Sequence, residues 1–356
     1  MASGTEGSRP RRKAVKQGRA RIWEVARLAE VSTATVSRTL ANPQIVAPET
    51  RERVLEAVRR TGYTPHVVGR LLRARRSMMV LVVVPTLSNP FYADVLRGID
   101  HELWSAGYGL IVGNLDNSIE KESRLIDVVY AGQVDGVLLL NGRVPESEGR
   151  TITAAGVAVA GAVVPIPGAA FPQALVDDGA ASRQVAKHLV ELGHERFGYV
   201  SGPQGVIDAA RRRGFFSGLA EFGHDPKHVM EAPGDFSFAA GFAAAGTLLQ
   251  RRDRPTAVYA VGDAMAVGFV KGAHQLGLKI PQDVAVVGFD GLEFADYCEP
   301  VLTTVVQPRK EMGSAAARLL IDEMLGTAKT PGEIVWLQAP LLVRDSTRSA
   351  VASYAA

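Results

Sequence analysis

A chain of 356 residues with 47% hydrophobic and 22% charged residues has the composition of a soluble globular protein. It is too long for one ordinary core, so a small domain joined to a larger one is expected. Its net charge is only +3, yet residues 1–76 carry 17 Lys and Arg against 6 Asp and Glu, while the remainder carries 23 against 31. A basic head on an acidic body is the electrostatic footprint of a segment that meets a polyanion. The single cysteine, Cys298, excludes a disulfide framework or a cysteine-built metal site within one chain and fits a reducing, cytoplasmic setting.

In chain order, residues 1–20 are Gly, Ser, Lys and Arg with almost no bulky apolar side chains. They read as a disordered basic tail, with no apolar core of a secretory signal. Residues 21–62 read as three short helices. Ile22, Val25, Ala26 and Ala29 recur on one helical face. Ser32 is a good N-cap, and from Thr33 the pattern restarts with Val36 and Leu40 inward. Thr35, Ser37 and Arg38 then face outward. A third helix opens at Pro48, packs Val54, Ala57 and Val58, and ends at Gly62. This is a helix-turn-helix. A helix lying in the DNA major groove needs short hydrogen-bonding side chains for phosphates at its start and a longer one for base edges. Ser32, Thr35 and Ser37 suit the first task, and Arg38 suits a bidentate contact to guanine. Thr33 and Ala34 can read methyl groups or base edges weakly.

Residues 63–76 form a hinge in which Arg70, Arg73, Arg75 and Arg76 surround Leu71-Leu72. The segment is too short and too charged to hold a helix alone, but phosphates that neutralise its arginines would let it order on binding. From Met78 onward short apolar runs (Met78–Val84, Tyr108–Val112, Val134–Leu140, Phe197–Val200, Ala257–Val261, Val284–Phe289) alternate with amphipathic helices. That alternation predicts an α/β fold of parallel sheets covered on both faces, with two lobes enclosing a ligand. The stretch Thr151 to Val176 carries no charge over 26 residues but is broken by Pro165, Pro167 and Pro172, so it reads as buried strand plus loop rather than a membrane span.

Ligand sites in open parallel sheets lie at the carboxyl ends of strands. Phe91 and Tyr92 follow the first strand and could stack on a sugar or base ring. Asp177, Arg211, Asp263 and Asp290 sit at similar strand ends. Carboxylates and one Arg converging there suit a polyhydroxylated effector. An enzyme reading finds no G-x-G-x-x-G after a strand, no P-loop and no H-E-x-x-H. Asp177-Asp178 are adjacent and do not face one site, and Pro226 between His224 and His228 argues against a metal-binding helix. A sugar-binding transport protein would share the two-lobed body, but this chain has a DNA-binding head where an export signal would stand.

The run Val25-Ala26-Arg27-Leu28-Ala29-Glu30-Val31-Ser32, followed by Ala34-Thr35-Val36-Ser37-Arg38, resembles the N-terminal signature of the LacI/GalR family of bacterial transcriptional regulators. Thr50-Arg51, Gly62-Tyr63-Thr64-Pro65 and Leu72 continue it in register, and the similarity runs from about Ile22 to Asp345. The resemblance implies a helix-turn-helix head, a hinge helix and two Rossmann-like lobes of the periplasmic-binding-protein-like type I. It places the effector domain at 77–346, with one lobe over 77–176 and 306–334, the other over 177–305 and 335–346, and a tail at 347–356. It also implies a homodimeric cytoplasmic regulator that is neither an enzyme nor bound to a membrane, binding a palindromic operator and a small-molecule effector, a sugar or sugar derivative. No metal or cofactor is implied. Leu72 would enter the minor groove with Arg70 on the DNA. Arg211 heads an Arg-x-x-Gly-Phe, Asp263 follows Gly262, and Asp290 ends Val287-Gly288-Phe289-Asp290, the effector set of the family. The absence of a leucine heptad tail argues against tetramers. Four positions depart from the pattern: Glu30 replaces the turn Gly at a cost of up to about 1 kcal/mol, Arg21 replaces the Thr that caps the first helix, Ala41-Asn42 displaces an Asn, and Gly262 replaces an Asn.

Overall fold

The protein is described by a computed structural model over residues 20–63, 76–328 and 330–348. It divides into two compact units, Met1–Arg75 and Arg76–Ala356. The first unit holds helices α1 (Ile22–Leu28), α2 (Thr33–Ala41) and α3 (Pro48–Thr61). Val25, Ala26, Ala29, Val36, Val54 and Ala57 form its core together with Tyr63. The helix starts are held by different devices. At α1 the Arg21 backbone N–H donates to the Glu24 carboxylate at 3.1 Å, so the missing Thr cap is offset from the third helical position. At α2 the Ser32 hydroxyl accepts from the Thr35 N–H at 3.1 Å. Glu30 does adopt the left-handed turn, with φ 54°, and Gly62 closes α3 at φ 62°.

The second unit begins where the Ser77 and Met78 N–H groups donate to the Asp135 carboxylate at 2.7 and 2.8 Å. Its first sheet is built from β1 (Met79–Val84), β2 (Gly109–Asn114), β3 (Gly136–Leu139), β6 (Ala158–Ala162), β7 (Gln173–Val176) and β13 (Ile334–Leu337), in the order β13-β7-β6-β3-β1-β2. A small hairpin, β4 (Glu146–Ser147) and β5 (Arg150–Thr151), lies apart. The second sheet is built from β8 (Phe197–Val200), β9 (Met230–Ala232), β10 (Ala257–Ala260), β11 (Ala285–Asp290), β12 (Thr303–Val306) and β14 (Leu341–Leu342), in the order β14-β12-β11-β10-β8-β9. All pairings in the two large sheets are parallel except β12 with β14. Strands such as β3, β8, β10 and β11 are buried along their whole length, because helices cover both faces and leave no wet side.

The helices that matter for the site are α4 (Phe91–Ser105), α6 (Asp178–Glu191), α7 (Val206–Glu221), α9 (Asp263–Gln275) and α10 (Arg309–Leu325); α5 (Ile119–Tyr130) and α8 (Phe238–Leu249) complete the cover. The chain crosses between lobes after β7, after β12 and after β13. The last crossing corrects the expected boundary at 335: Ile334–Leu337 pairs with Gln173–Val176 of the first sheet, so the second lobe regains the chain only at β14. The uncharged stretch Thr151–Val176 contains β6, β7 and the loop between them, and no helix among the described residues is long and apolar enough to cross a membrane.

Candidate nucleic-acid interface and effector site

On the head, Val36 and Thr39 turn inward, both 0% exposed, which points the opposite face of α2 outward. Ser32, Thr33, Ala34 and Arg38 are exposed there, while Thr35 and Ser37 are half-buried. The Ser32 and Thr35 hydroxyls lie 2.9 Å apart, so part of their hydrogen-bonding capacity orders the helix start. Arg38 is the long cationic side chain of this face, and no acidic partner holds it among the described residues. Trp23, which periodicity did not single out, is 48% exposed, with the Arg27 guanidinium 5.6 Å from its ring centroid. Arg70 and Leu72 lie outside the described residues.

In the second unit, β1 lies between β2 and β3, and β8 between β9 and β10. These are the places where strand order reverses, the usual ligand crevice of an open parallel sheet. After β1, the Asn89 side chain accepts from the Phe91 N–H at 3.0 Å and launches α4. Its first two residues, Phe91 and Tyr92, are buried and meet edge-to-face at 5.4 Å. After β8, α7 presents Arg211, 3% exposed. Its Nε donates to Asp178 at 2.7 Å and its Nη1 to the Val261 carbonyl at 2.6 Å. The guanidinium lies 3.7 Å from the centroid of the Phe289 ring and 3.6 Å from Asp290. Burial pushes the Tyr92 phenol up, as does the nearby Asp290 carboxylate, while Arg211 eases it. Tyr92, on α4 of the first lobe, therefore lies near enough to the Arg211–Asp290 pair of the second lobe to feel both charges.

Two expected residues play other parts. Asp177 is exposed and caps α6, accepting from the Ala180 N–H at 2.8 Å. It lines an open depression of about 410 Å³ with Arg183 and Arg213, on the side of α6 and α7, and the neighbouring Asp178 is the carboxylate that holds Arg211. Asp263 is 0% exposed, and its two oxygens accept from the Thr304 hydroxyl at 2.5 Å and the Leu292 N–H at 2.7 Å. It ties the strand ends together rather than lining the crevice. Its carboxyl is pushed up to about 8, first by burial and then by the Asp290 carboxylate; Asp290 itself is raised to about 6, mainly by burial.

Several site residues carry no signal in sequence spacing. Gln307 donates to Asp290 at 2.9 Å. Phe236 stands beside Asp290: a Cβ at Gly262 would come within 3.0 Å of the Phe236 ring and 3.6 Å of an Asp290 oxygen. Phe236 (φ 65°), Asp290 (φ 119°) and Val163 (φ 71°) all adopt positive φ at or just beyond strand carboxyl ends. Such strain costs about 1–3 kcal/mol per residue and gathers at ligand sites. The buried amide of Asn141, just past β3, finds no hydrogen-bond partner for its nitrogen or oxygen among the described residues, a state that a polar ligand would relieve.

A three-helix head with an exposed polar recognition helix, on a two-lobed body with a charged crevice, defines a DNA-binding regulator with an effector domain. Residues 21–66 match the profile of bacterial regulatory proteins of the lacI family, and residues 186–347 that of a periplasmic binding protein-like domain. The chain is 36% identical over 344 residues to the HTH-type transcriptional repressor CytR of Escherichia coli (strain K12), covering 93% of this chain and 97% of that protein. Among solved structures it is similar to a complex of the transcriptional regulator CelR with cellobiose, at 32% identity and a TM-score of 0.69 over 92% of this chain and 100% of that one. The lac repressor dimer bound to operator shares the fold, with a TM-score of 0.83 at 23% identity over 93% of this chain and 100% of that one. The chain belongs to the LacI family of bacterial regulatory proteins. It is a sequence-specific DNA-binding transcriptional regulator with an effector-binding domain.

Proposed function

We propose that the protein is a cytoplasmic repressor that binds a palindromic operator as a homodimer, that a sugar or sugar derivative held between its lobes sets its operator affinity, and that it performs no catalytic step. The observation that carries the effector reading is Arg211: a guanidinium 3% exposed, fixed by Asp178 and the Val261 carbonyl, beside Asp290 and across from Tyr92. Fixed donors and acceptors facing aromatic rings suit a ligand with hydroxyls on one side and an apolar ring face on the other. The cellobiose bound by the related CelR supports the sugar class. Arg211, Asp290, Phe91, Tyr92, Phe236 and Asn141 contact the effector in this reading, and Asp178, Asp263 and Gln307 position them. On the DNA side Ser32, Thr35 and Ser37 serve phosphates, Thr33, Ala34 and Arg38 serve base edges, and Leu72 and Arg70 of the hinge serve the minor groove.

The test is thermal unfolding of the purified protein with ribose, cellobiose and a panel of other sugars. A true effector at 100 times its dissociation constant stabilises by about 2.7 kcal/mol, and Asp290→Asn should abolish the gain. No stabilisation by any sugar removes the ligand class. Stabilisation that persists in Asp290→Asn removes the site.

A further inference from the structure

Arg309 is the first residue of α10, directly after the chain leaves the second sheet at β12. Its side chain is 11% exposed and its guanidinium is divided between the lobes. Nε and Nη2 donate to Asp94 Oδ2 at 3.2 and 2.9 Å, and Asp94 lies in the first turn of α4. Nη1 donates to the Gly291 carbonyl at 2.8 Å and to the Asp290 carbonyl. Gly291 (φ 68°) lies just past the end of β11 and its carbonyl needs a donor from outside the ladder, while the Asp290 carbonyl keeps its strand pairing with the Gln307 N–H and takes Arg309 as a second donor. The planar five-donor fork of an Arg can serve a carboxylate and two carbonyls at once; the ammonium of a Lys cannot span them.

The crossover grips Asp290 by both its ends. Gln307 donates its side-chain amide to the Asp290 carboxylate at 2.9 Å and its backbone N–H to the Asp290 carbonyl at 3.3 Å. On the other side, α4 and α10 lock together. A Cβ at Gly98 would meet the Lys310 carbonyl at 2.0 Å, one at Gly313 would meet the Val95 carbonyl at 2.1 Å, and the Ser314 hydroxyl donates to the Gly98 carbonyl at 3.2 Å. Asp94 is thus fixed to a rigid helix pair that also carries Phe91 and Tyr92.

We propose that the Asp94–Arg309 pair is a positioning element that holds the Asp290–Gly291 turn from the first lobe, so that a change at the Asp290 carboxylate is felt by α4. The regulatory role rests on the reading of Asp290 as an effector contact; the mechanical link does not. Amide hydrogen exchange on the full-length protein, without DNA or effector, tests that link. The reporter is the Leu292 N–H, donated to Asp263 at 2.7 Å, and the reference is β8. Arg309→Gln should speed Leu292 exchange about tenfold by freeing the turn. Asp94→Asn, isosteric and located in the other lobe, should do the same, Asp94→Glu should restore most of the protection, and the double variant Asp94→Asn/Arg309→Gln should add little to either single one. The β8 amides should stay within about twofold. If Asp94→Asn leaves Leu292 unchanged, the first lobe does not hold the turn. If β8 accelerates equally, the pair is general stability and the proposal falls. Should Asp290 prove not to touch effector, that failure appears in the ligand titration of Asp290→Asn and leaves the exchange result intact.

Discussion

Arg211 is buried with Asp178 against it, and this decides how its role can be measured. Truncation to Ala would strand the Asp178 carboxylate without its cation, and breaking a buried pair in this way costs about 3–5 kcal/mol. Urea unfolding of Arg211→Ala is expected to show that loss, so a missing effector response in this variant would not by itself assign a ligand contact; a loss under about 1 kcal/mol would mean that the pair is not buried in solution. Asp263 makes a second prediction, through pH. Its carboxyl is raised to about 8 by burial and the Asp290 carboxylate, above the value of about 3.9 in an unfolded chain. The folded state then keeps a proton that the unfolded state has released. The contribution of Asp263 to stability is full below about pH 4 and is lost as pH rises through the folded value, by up to about 1.4 kcal/mol per pH unit. Urea midpoints measured from pH 5 to 8 should fall more steeply for the wild type than for Asp263→Asn. Equal slopes would show that Asp263 is ionised in the fold. Adjacent residues explain why the sequence pointed to Asp177: one carboxylate of the Asp177-Asp178 pair had to cap α6 and the other to turn inward, and no periodicity tells which does which.

At the scale of elements, the turn between α1 and α2 stores strain at Glu30, φ 54°. Glu30→Gly should raise the stability of the head by about 1 kcal/mol, read as a higher unfolding temperature of the DNA-binding unit. A lower temperature would mean that the Glu30 side chain makes a contact outweighing the strain. The second unit was legible where burial on both faces makes strands into apolar runs, as in β1, β8, β10 and β11. It was less legible where the residues are small or the strand is at an edge. β6 is Ala158–Ala162 with Gly161 inside it, and β13 alternates exposed with half-buried positions, so neither stands out from a loop. The site followed the same division. The buried positions of Arg211 and Asp290 near strand ends could be read from the pattern, whereas Asp177 caps a helix and Phe236, Gln307 and Asn141 lie in loops between elements, whose geometry sequence spacing does not reveal.

For the whole molecule, the uneven charge leads to a salt-dependence prediction. Residues 1–19 hold Arg9, Arg11, Arg12, Lys13, Lys16 and Arg19 with only Glu6 opposing them. Deleting them should weaken binding to all duplexes and lower the log–log salt slope by about 0.9 for each phosphate the tail no longer neutralises; an unchanged slope would place the tail away from DNA. The proposed function depends above all on the reading of sequence by the exposed face of α2. It is tested most directly by fluorescence anisotropy, at one salt concentration, of the duplex enriched from a randomised pool by the wild-type protein and of its scrambled counterpart, with wild type and Arg38→Ala side by side. The enriched duplex should be palindromic and bound by wild type at least about 10³-fold more tightly than the scrambled one, and Arg38→Ala should lose about 1–3 kcal/mol of that preference with scrambled binding little changed. Equal losses on both duplexes, or no enriched sequence at all, would contradict it.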